Sequence, residues 1–379
     1  MQQRVRAAKH AGAAPRQAGL TRLRFFFISW VILYHLNLPL QVDAIWPQLH
    51  WPEALLRHGY LGVDGFFLLS GFALWLGYGT RPPWSSATVR DFLLRRVAKI
   101  WPLHALALLA LALLVGLSVL AGLPIRDPER FGLDEFVLQL LLVNAWETSQ
   151  RFAWNYPSWA LSVEWAGYLA FPLLLRGVVG VPRWASPLVA LAAFGGLWRF
   201  ASAVPEVGLN WTLHLGLVRF GLEFTLGLAL GRMATEGMLP RALPLLAVAA
   251  LPVGVLWWDD ALSVLGLTGL IVAVWQAGTA GSRAAQPAPA RPDLLLRLGE
   301  ASFGVYLCWV FVEAVLVLVL RLVEPGPTGR VGLMLAGFVA SLVAGWLAWR
   351  WVEVPAHRWI IRRAAAPPRR QEAGATASS

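Results

Sequence analysis

Two ionisable side chains in the first apolar segment have types and a spacing that suit anion binding and proton transfer. Arg24 and His35 are 11 residues apart, which corresponds to about 16 Å along a helix. An imidazole has an unperturbed pKa near 6.5, so His35 is suited to accept the proton of a hydroxyl at neutral pH. The alternative is structural, with Arg24 a snorkelling interfacial arginine and His35 a hydrogen-bonded core histidine.

Asp64 opens the second apolar segment, in the glycine-rich stretch GYLGVDGFFLLSGF, residues 59–72. This segment enters from the side on which the first one ends, so we expect Asp64 at a depth similar to that of His35. A carboxylate at that depth would orient the imidazole and stabilise its protonated form. A helix N-cap is the alternative role for this aspartate.

Glu164 lies in NYPSWALSVEWAGYLAFPLL, about 10 Å along the helix that we expect to start near Pro157. An unpaired carboxylate at such a depth is costly, so a partner or a wet cavity is expected around it. We predict that Glu164 positions an acceptor or relays a proton. A purely structural carboxylate remains the alternative.

A basic cluster lies at the start of the third apolar segment, in LLRRVAKIWPLH, residues 93–104. Arg96 and Lys99 are three residues apart and therefore share a helical face. Arg24 is expected on the same side of the membrane, and the three cations together would hold phosphate groups. The alternative is a basic anchor on the cytoplasmic side of the membrane.

The composition indicates which elements must position these residues. Of the 379 residues, 58% are hydrophobic and 14% charged, whereas a soluble domain is roughly 45–50% apolar and about 25% charged. We predict an all-α polytopic membrane protein of about ten transmembrane helices, with a further short re-entrant or peripheral helix at 133–146. The predicted spans are about 22–40, 59–78, 92–121, 157–178, 185–204, 211–232, 241–258, 260–279, 297–322 and 330–353. The ionisable residues within them are Arg24, His35, Asp64, Arg96, Lys99, His104, Glu164, His214, Arg219, Glu223 and Glu313.

The charge pattern predicts orientation and domain limits. The net charge of +11 comes mainly from arginines in short loops on one side, which indicates membrane topology and no nucleic acid partner. We predict a multi-pass protein of the cell (inner or plasma) membrane with both termini cytoplasmic. A basic cytoplasmic tail is expected at 1–19, the membrane domain at 20–357 and a disordered cytoplasmic tail at 358–379. The single cysteine, Cys308, excludes an internal disulfide and a cysteine cluster for metal.

Six short motifs occur in the order of one known family. With them the chain resembles the membrane acyltransferase-3 family over nearly all of residues 20–357; members of that family O-acylate sugars, glycans, lipids or antibiotics. The motifs are RFFFISWVILYH from Arg24 to His35, GYLGVDGFFLLSGF at 59–72, RRVAKIWPLH at 95–104, WALSVEWAGYLAFP at 159–172, SFGVYLCW at 302–309 and WVEVPAHRW at 351–359.

The resemblance implies that His35 is the catalytic histidine and that Arg24 belongs to the same essential pair. It also implies functional roles for Arg96 with Lys99 and for Glu164. The sequence departs from the family pattern at three positions. Lys99 replaces a second arginine, His104 stands where tyrosine is common, and Trp309 stands where many members have histidine.

Together, the residues and the resemblance predict an O-acyltransferase that moves an acyl group, expected to be acetyl, from cytoplasmic acyl-CoA to an extracytoplasmic carbohydrate or glycolipid hydroxyl. The predicted catalytic residues are His35, Asp64 and Glu164, and the predicted CoA-binding residues are Arg24, Arg96 and Lys99. Acyl-CoA is a co-substrate, and no tightly bound cofactor or metal is expected. Direct transfer and a transient acyl-histidine both remain open. Two other classes also remain open: a transporter or flippase of a glycan or lipid intermediate, and a non-catalytic scaffold or sensor.

Overall fold

The structure, a computed structural model, describes residues 14–79, 85–125, 127–204, 206–283 and 293–365. Most of the predicted basic tail, most of a Pro/Ala-rich segment at 281–293 and the last 14 residues of the chain lie outside these described residues.

The described residues form helices and connecting turns and contain no β-strand. Three short 3-10 helices at 43–45, 128–131 and 183–185 lie between the longer elements. The α-helices are α1 (Ala14–Leu40), α2 (His50–Arg57), α3 (Leu61–Tyr78), α4 (Ser86–Leu120), α5 (Leu133–Leu140), α6 (Ser158–Gly180), α7 (Ser186–Ala201), α8 (Gly216–Thr235), α9 (Ala242–Val248), α10 (Ala250–Trp257), α11 (Asp260–Arg283), α12 (Leu294–Glu300), α13 (Ser302–Leu322), α14 (Pro327–Ala348) and, after a π-helix at Trp349–Glu353, α15 (Val354–Ala365).

Six helical segments in the described ranges are long and apolar enough to cross a membrane, and a bent pair of helices adds a seventh if it counts as one span. The chain is therefore a multi-pass helical membrane protein, but the predicted count of about ten crossings is not confirmed. The six segments are Ala18–Leu40, Leu61–Tyr78, Ser86–Leu120, Asp260–Thr279, Ser302–Leu322 and Pro327–Ala365.

The other four predicted spans differ from simple apolar helices, each for a physical reason. Helices α6 and α7 form the bent pair, with an angle of 112° at the break. Helix α8 has 20 residues but carries Arg219, Glu223 and Arg232. The apolar segment Ala242–Trp257, which contains α9 and α10, spans only about 24 Å as a helix, less than the roughly 30 Å of a hydrocarbon core.

The sequence also predicts the state of two short regions, residues 133–146 and the C-terminal tail. Helix α5 has 8 residues, or about 12 Å of helix, so the piece at 133–146 is too short to cross a membrane as a helix, as the sequence predicts. Helix α15 continues to Ala365. Residues 358–365 are therefore helical, which corrects the prediction that the disordered tail begins at residue 358. The apolar residues of α15 recur at helical spacing, and this pattern favours a helix over a disordered tail.

Glycines let α3 pack closely against two neighbours. A side chain at Gly62 would collide with the backbone carbonyl of Phe27 in α1. Gly71 of α3 and Gly227 of α8 each face the backbone of the other helix at distances that leave no room for a Cβ atom. Small residues at helix contacts allow this approach in membrane bundles. As a result α3 lies between α1 and α8, and its polar residues face the interior.

Candidate active site

A cavity of about 350 Å³ lies between α1, α3, α4, α6 and α13. This volume falls within the range of small-molecule sites in proteins. Four of the residues predicted from the sequence to act in binding or catalysis line it: Arg24, Arg96, Lys99 and Glu164. The fold therefore brings together side chains that are up to 140 residues apart in the chain, and most of the remaining lining is apolar.

The cavity is elongated along the helices. Its lining residues on α3 run from Val63 to Leu76, a length of about 20 Å of helix. Arg24 and Lys99 come from the first halves of α1 and α4, whereas Ala160 comes from the first turn of α6. A long, thin ligand with an anionic end matches this shape and charge.

Two guanidinium groups in the cavity form no direct ion pair within the described part of the chain, although Arg24 is near enough to the Glu353 carboxylate to interact with its charge. Among the described residues, Arg24 and Arg96 have no ion-pair partner, and the Nε atom of Arg96 is buried without a hydrogen-bond acceptor. The Arg96 guanidinium carbon lies 5.2 Å from the ring centre of Phe92 and 5.0 Å from that of Tyr168. These cation–π contacts orient the group but leave its hydrogen-bond donors available.

Lys99 differs from the two arginines because its charge is already paired. Its ammonium donates a hydrogen bond to Glu353, which is almost fully buried. The π-helix at Trp349–Glu353 carries that carboxylate, and such helices occur frequently at functional sites. The role of Lys99 in phosphate binding stays a prediction, and the ion pair shows which group would compete for it.

The Glu164 carboxylate is held in place by two hydroxyl groups. The Ser70 hydroxyl and the Tyr168 hydroxyl donate to its Oε1 atom at 2.8 and 2.6 Å. Tyr168 also lies beneath the Arg96 guanidinium. The carboxylate and the unpaired arginine are therefore coupled through one tyrosine at the cavity wall. The expected partner or wet cavity is found at Glu164, and its catalytic role stays a prediction.

His35 lies beyond the cavity rather than in its lining. Its ring stacks on the indole of Trp309, with ring centres 4.2 Å apart and planes 26° from parallel. Tyr34 packs edge-on against the imidazole at 4.9 Å. Trp309 is fully buried and follows the cavity residue Tyr306 by one helical turn. One turn of α13 therefore contacts the cavity through Tyr306 and the imidazole through Trp309.

One residue that the sequence did not connect with His35 approaches its Nδ1 atom, and a second residue contacts the first. The Tyr156 hydroxyl lies 3.4 Å from Nδ1 and donates to Glu313 Oε2 at 3.0 Å. Burial raises the pKa of Tyr156, and the neighbouring Glu313 carboxylate raises it further. The phenol therefore stays protonated near neutral pH. Glu313 was recognisable as an ionisable residue within a span, but nothing in the sequence relates it to a histidine 278 positions earlier.

Asp64 is placed differently from the expectation. It does not contact His35; instead, its carboxylate accepts hydrogen bonds from Arg219 Nε at 3.0 Å and Nη2 at 2.5 Å. The packing of Gly62 on Phe27 explains the difference, because it sets Asp64 level with the part of α1 near Phe27, about 12 Å along that helix from His35. The predicted orientation of His35 by Asp64 is therefore corrected.

Arg219 joins Asp64 and Glu223 into a closed ionic cluster between α3 and α8. Arg219 Nε lies 3.7 Å from Glu223 Oε1, and all three side chains are fully buried. Arg219 also donates to the Trp211 carbonyl at 3.0 Å. None of the three lines the cavity. The arrangement is that of a buried ion pair linking two helices.

Two other histidines have structural partners. His104 Nε2 lies 2.8 Å from the Gln139 carbonyl, in the buried contact between α4 and α5. His214 Nδ1 lies 2.9 Å from Glu147 in an exposed pair, and this hydrogen bond lowers the pKa of Glu147. Their environments differ from that of His35, which combines an aromatic stack with a tyrosine–carboxylate pair.

The fold and the site define a class, a multi-pass helical membrane protein with an internal cationic cavity. An acyltransferase domain matches residues 17–350. The chain is also 32% identical over 386 aligned positions to Acyltransferase MdmB of Streptomyces mycarofaciens, covering 92% of this chain and 93% of that protein. No solved structure matches the chain.

The chain therefore belongs to the acyltransferase-3 family of membrane proteins, and it is an O-acyltransferase. Family membership confirms the resemblance seen in the six motifs. It also decides between the enzyme and the transporter or scaffold that the residues alone left open.

Proposed function

We propose that the protein transfers an acyl group, in the simplest case acetyl, from cytoplasmic acyl-CoA to a hydroxyl of an extracytoplasmic carbohydrate or glycan. The main observation in support is the elongated cavity in which Arg24 and Arg96 form no direct ion pair with any carboxylate that the structure describes. Coenzyme A has a polyanionic head and a thin pantetheine arm, and both features match this cavity.

The donor would bind with its phosphates at the basic end. Guanidinium groups form bidentate, charge-assisted hydrogen bonds with phosphate, so Arg24 and Arg96 are the better candidates. Lys99 contributes if phosphate displaces Glu353 from its ammonium. The pantetheine arm then follows α3 towards Tyr306, past Ser70 and Glu164.

His35 acts as the general base in this proposal. Its imidazole takes the proton of the acceptor hydroxyl, and the oxygen attacks the thioester carbonyl. The tetrahedral adduct then expels CoA thiolate, which receives the proton from the imidazolium. Because His35 does not line the cavity and its ring is covered by Trp309, contact between the thioester and His35 requires a rearrangement around Trp309.

The acceptor would reach His35 from the opposite side of the membrane. We infer this from the predicted orientation, with both termini cytoplasmic and His35 in the outer half of α1. Tyr34, Tyr156 and Trp309 surround the imidazole. Tyr34 and Tyr156 are only partly buried, so their rings are available to pack against the apolar faces of a sugar ring while one hydroxyl points at the base.

The catalytic role of His35 is tested with purified protein in lipid nanodiscs. Wild type, His35→Ala and His214→Ala are supplied with acetyl-CoA and a pool of cell-surface carbohydrates, and release of the CoA thiol is followed. We expect His35→Ala to lose about 100-fold or more in turnover and to bind acetyl-CoA as before. His214→Ala, a histidine paired at the surface, keeps the wild-type rate. Near wild-type turnover by His35→Ala would reject the proposal.

The direction of transfer is tested in proteoliposomes of known orientation. Acetyl-CoA is supplied on the side of the termini only, with the carbohydrate pool on the other side only. Acylated carbohydrate should form in this arrangement and not in the reverse one. Product formed only when both substrates share one compartment would contradict transfer across the membrane.

A further inference from the structure

We infer that Tyr156 and Glu313 are positioning residues for His35, which hold its ring proton on Nδ1 and leave Nε2 free to accept the substrate proton. This inference rests on the proposed function, in which His35 is the base. It assigns roles to two side chains that neither the sequence nor the family motifs connect with the histidine.

The inference depends on which atom donates in the hydrogen bond between Tyr156 and Glu313. A phenol has one proton to donate, and Tyr156 donates it to Glu313 Oε2 at 3.0 Å. The lone pairs of its oxygen are then left for His35 Nδ1, which is 3.4 Å away. We therefore place the ring proton on Nδ1 in this inference, as in catalytic triads where an acceptor fixes the tautomer of the histidine.

Tyr156 is held in this position by the residues on either side of it. The Asn155 side-chain amide donates to the Leu307 carbonyl at 3.3 Å. The Pro157 carbonyl accepts a hydrogen bond from the Tyr306 hydroxyl at 2.6 Å. Both partners belong to α13, the helix that also carries Glu313 and Trp309. One helix therefore supplies the stacking partner of His35, the acceptor for Tyr156 and the anchors of its loop.

Other groups also lie near the relay, the pair formed by Tyr156 and Glu313. Arg130 is close enough to affect the ionisation of both Tyr156 and Glu313, and it donates a hydrogen bond to the Phe152 carbonyl. Tyr34 and Trp309 contact the imidazole through their rings. Trp309 therefore fixes the plane of the imidazole, and Tyr156 fixes which nitrogen bears the proton.

The relay has a chemical consequence for the reaction. When Nε2 takes the hydroxyl proton, the imidazole becomes positively charged. The Glu313 carboxylate, acting through the Tyr156 hydroxyl, stabilises that charge, as the aspartate does in a triad. Removal of either group should lower the rate of the proton-transfer step without weakening the binding of acyl-CoA, whose proposed site lies in the cavity.

The experiment compares Tyr156→Phe and Glu313→Gln with two matched controls. Tyr60→Phe removes a hydroxyl that donates to Asp260 at 2.7 Å, and Glu135→Gln alters a buried carboxylate bonded to Ser149. We expect kcat to fall by about 10- to 100-fold in the two relay variants, with KM for acetyl-CoA unchanged. The acidic limb of the pH–rate profile of Glu313→Gln should move to lower pH, because the carboxylate no longer favours the charged imidazole. Both controls keep the wild-type kcat and profile.

The outcomes separate this inference from the proposed function. Wild-type kcat and pH profiles in both relay variants, with His35→Ala inactive, would overturn the inference and leave the general base in place. An active His35→Ala protein would overturn the proposed function itself. If Tyr156→Phe unfolds, Glu313→Gln decides the matter, since it changes charge with little change in shape. A loss of kcat in Glu313→Gln with an unmoved acidic limb would indicate a structural role and would also overturn the inference.

Discussion

The bundle contains two groups of buried charges, and they differ in how the charges are balanced. In the cavity, Arg24 and Arg96 form no direct ion pair with a carboxylate of the described residues, and both line an open space. Between α3 and α8, Arg219 lies against two carboxylates and a carbonyl, and none of the three charged side chains lines the cavity described above.

This difference shows what distinguishes a ligand site from a structural ion pair in the membrane. Charge at membrane depth is costly in either case, so its presence alone indicates only that the protein compensates for it. The closed cluster compensates internally, through Asp64. In the open group, the Arg24 and Arg96 guanidinium groups form no direct ion pair with any described carboxylate, and the neighbouring cavity gives an anionic ligand room to bind them.

The largest effect is expected on stability at the closed cluster. Arg219→Leu leaves the Asp64 and Glu223 carboxylates buried without their cation, so the free energy of unfolding should fall by about 3–5 kcal/mol. Arg24→Leu, the matched control from the open cavity, removes an unpaired cation and should lower stability far less. Yield and unfolding temperature in detergent measure both. Equal losses in the two variants would remove the contrast.

The next effect concerns CoA affinity and uses two adjacent arginines. Arg96→Ala should weaken CoA binding by about 10- to 100-fold, the cost of a lost charge-assisted hydrogen bond. Arg95→Ala is the control, because Arg95 is exposed and paired with Asp91 at 2.9 Å. Calorimetric titration with CoA measures the two dissociation constants. Similar weakening in both variants would indicate a general effect of surface charge rather than a site at Arg96.

A smaller and mixed effect is expected at Lys99. Lys99→Met leaves the buried Glu353 carboxylate without its cation and should cost about 1–3 kcal/mol of stability, while CoA affinity falls less than in Arg96→Ala. The double variant Lys99→Met/Glu353→Gln should recover most of that stability. Thermal unfolding and CoA titration on the same samples distinguish these effects. A loss of CoA affinity as large as that of Arg96→Ala, without loss of stability, would place Lys99 among the unpaired cations.

The charged residues of the cavity were largely predictable from the sequence. Arg24, Arg96 and Glu164 are conspicuous because charge is rare in apolar segments, and all three line one cavity. The partners of these residues were less accessible. Tyr168 lies one turn from Glu164, and this spacing is a local signal, but Glu353 reaches Lys99 across 254 positions. Distant pairs of this kind depend on how helices pack.

The environment of His35 shows the limit of reasoning from spacing. The depth of Asp64 was inferred from its distance to the start of α3, but the contact between Gly62 and Phe27 sets the true level of that helix. Tyr156 belongs to a loop, where periodicity gives no information. The number of crossings met a similar limit, because α8 is interrupted by three charged residues and the structure buries them in helix contacts.

The most direct test is an experimental structure of the protein in lipid nanodiscs with a non-hydrolysable acetyl-CoA analogue. We expect the CoA phosphates to lie within hydrogen-bonding distance of Arg24 and Arg96. The pantetheine arm should lie along α3, with the acyl end directed at His35. A coenzyme bound elsewhere on the protein, with the cavity of Arg24 and Arg96 empty, would contradict this proposal.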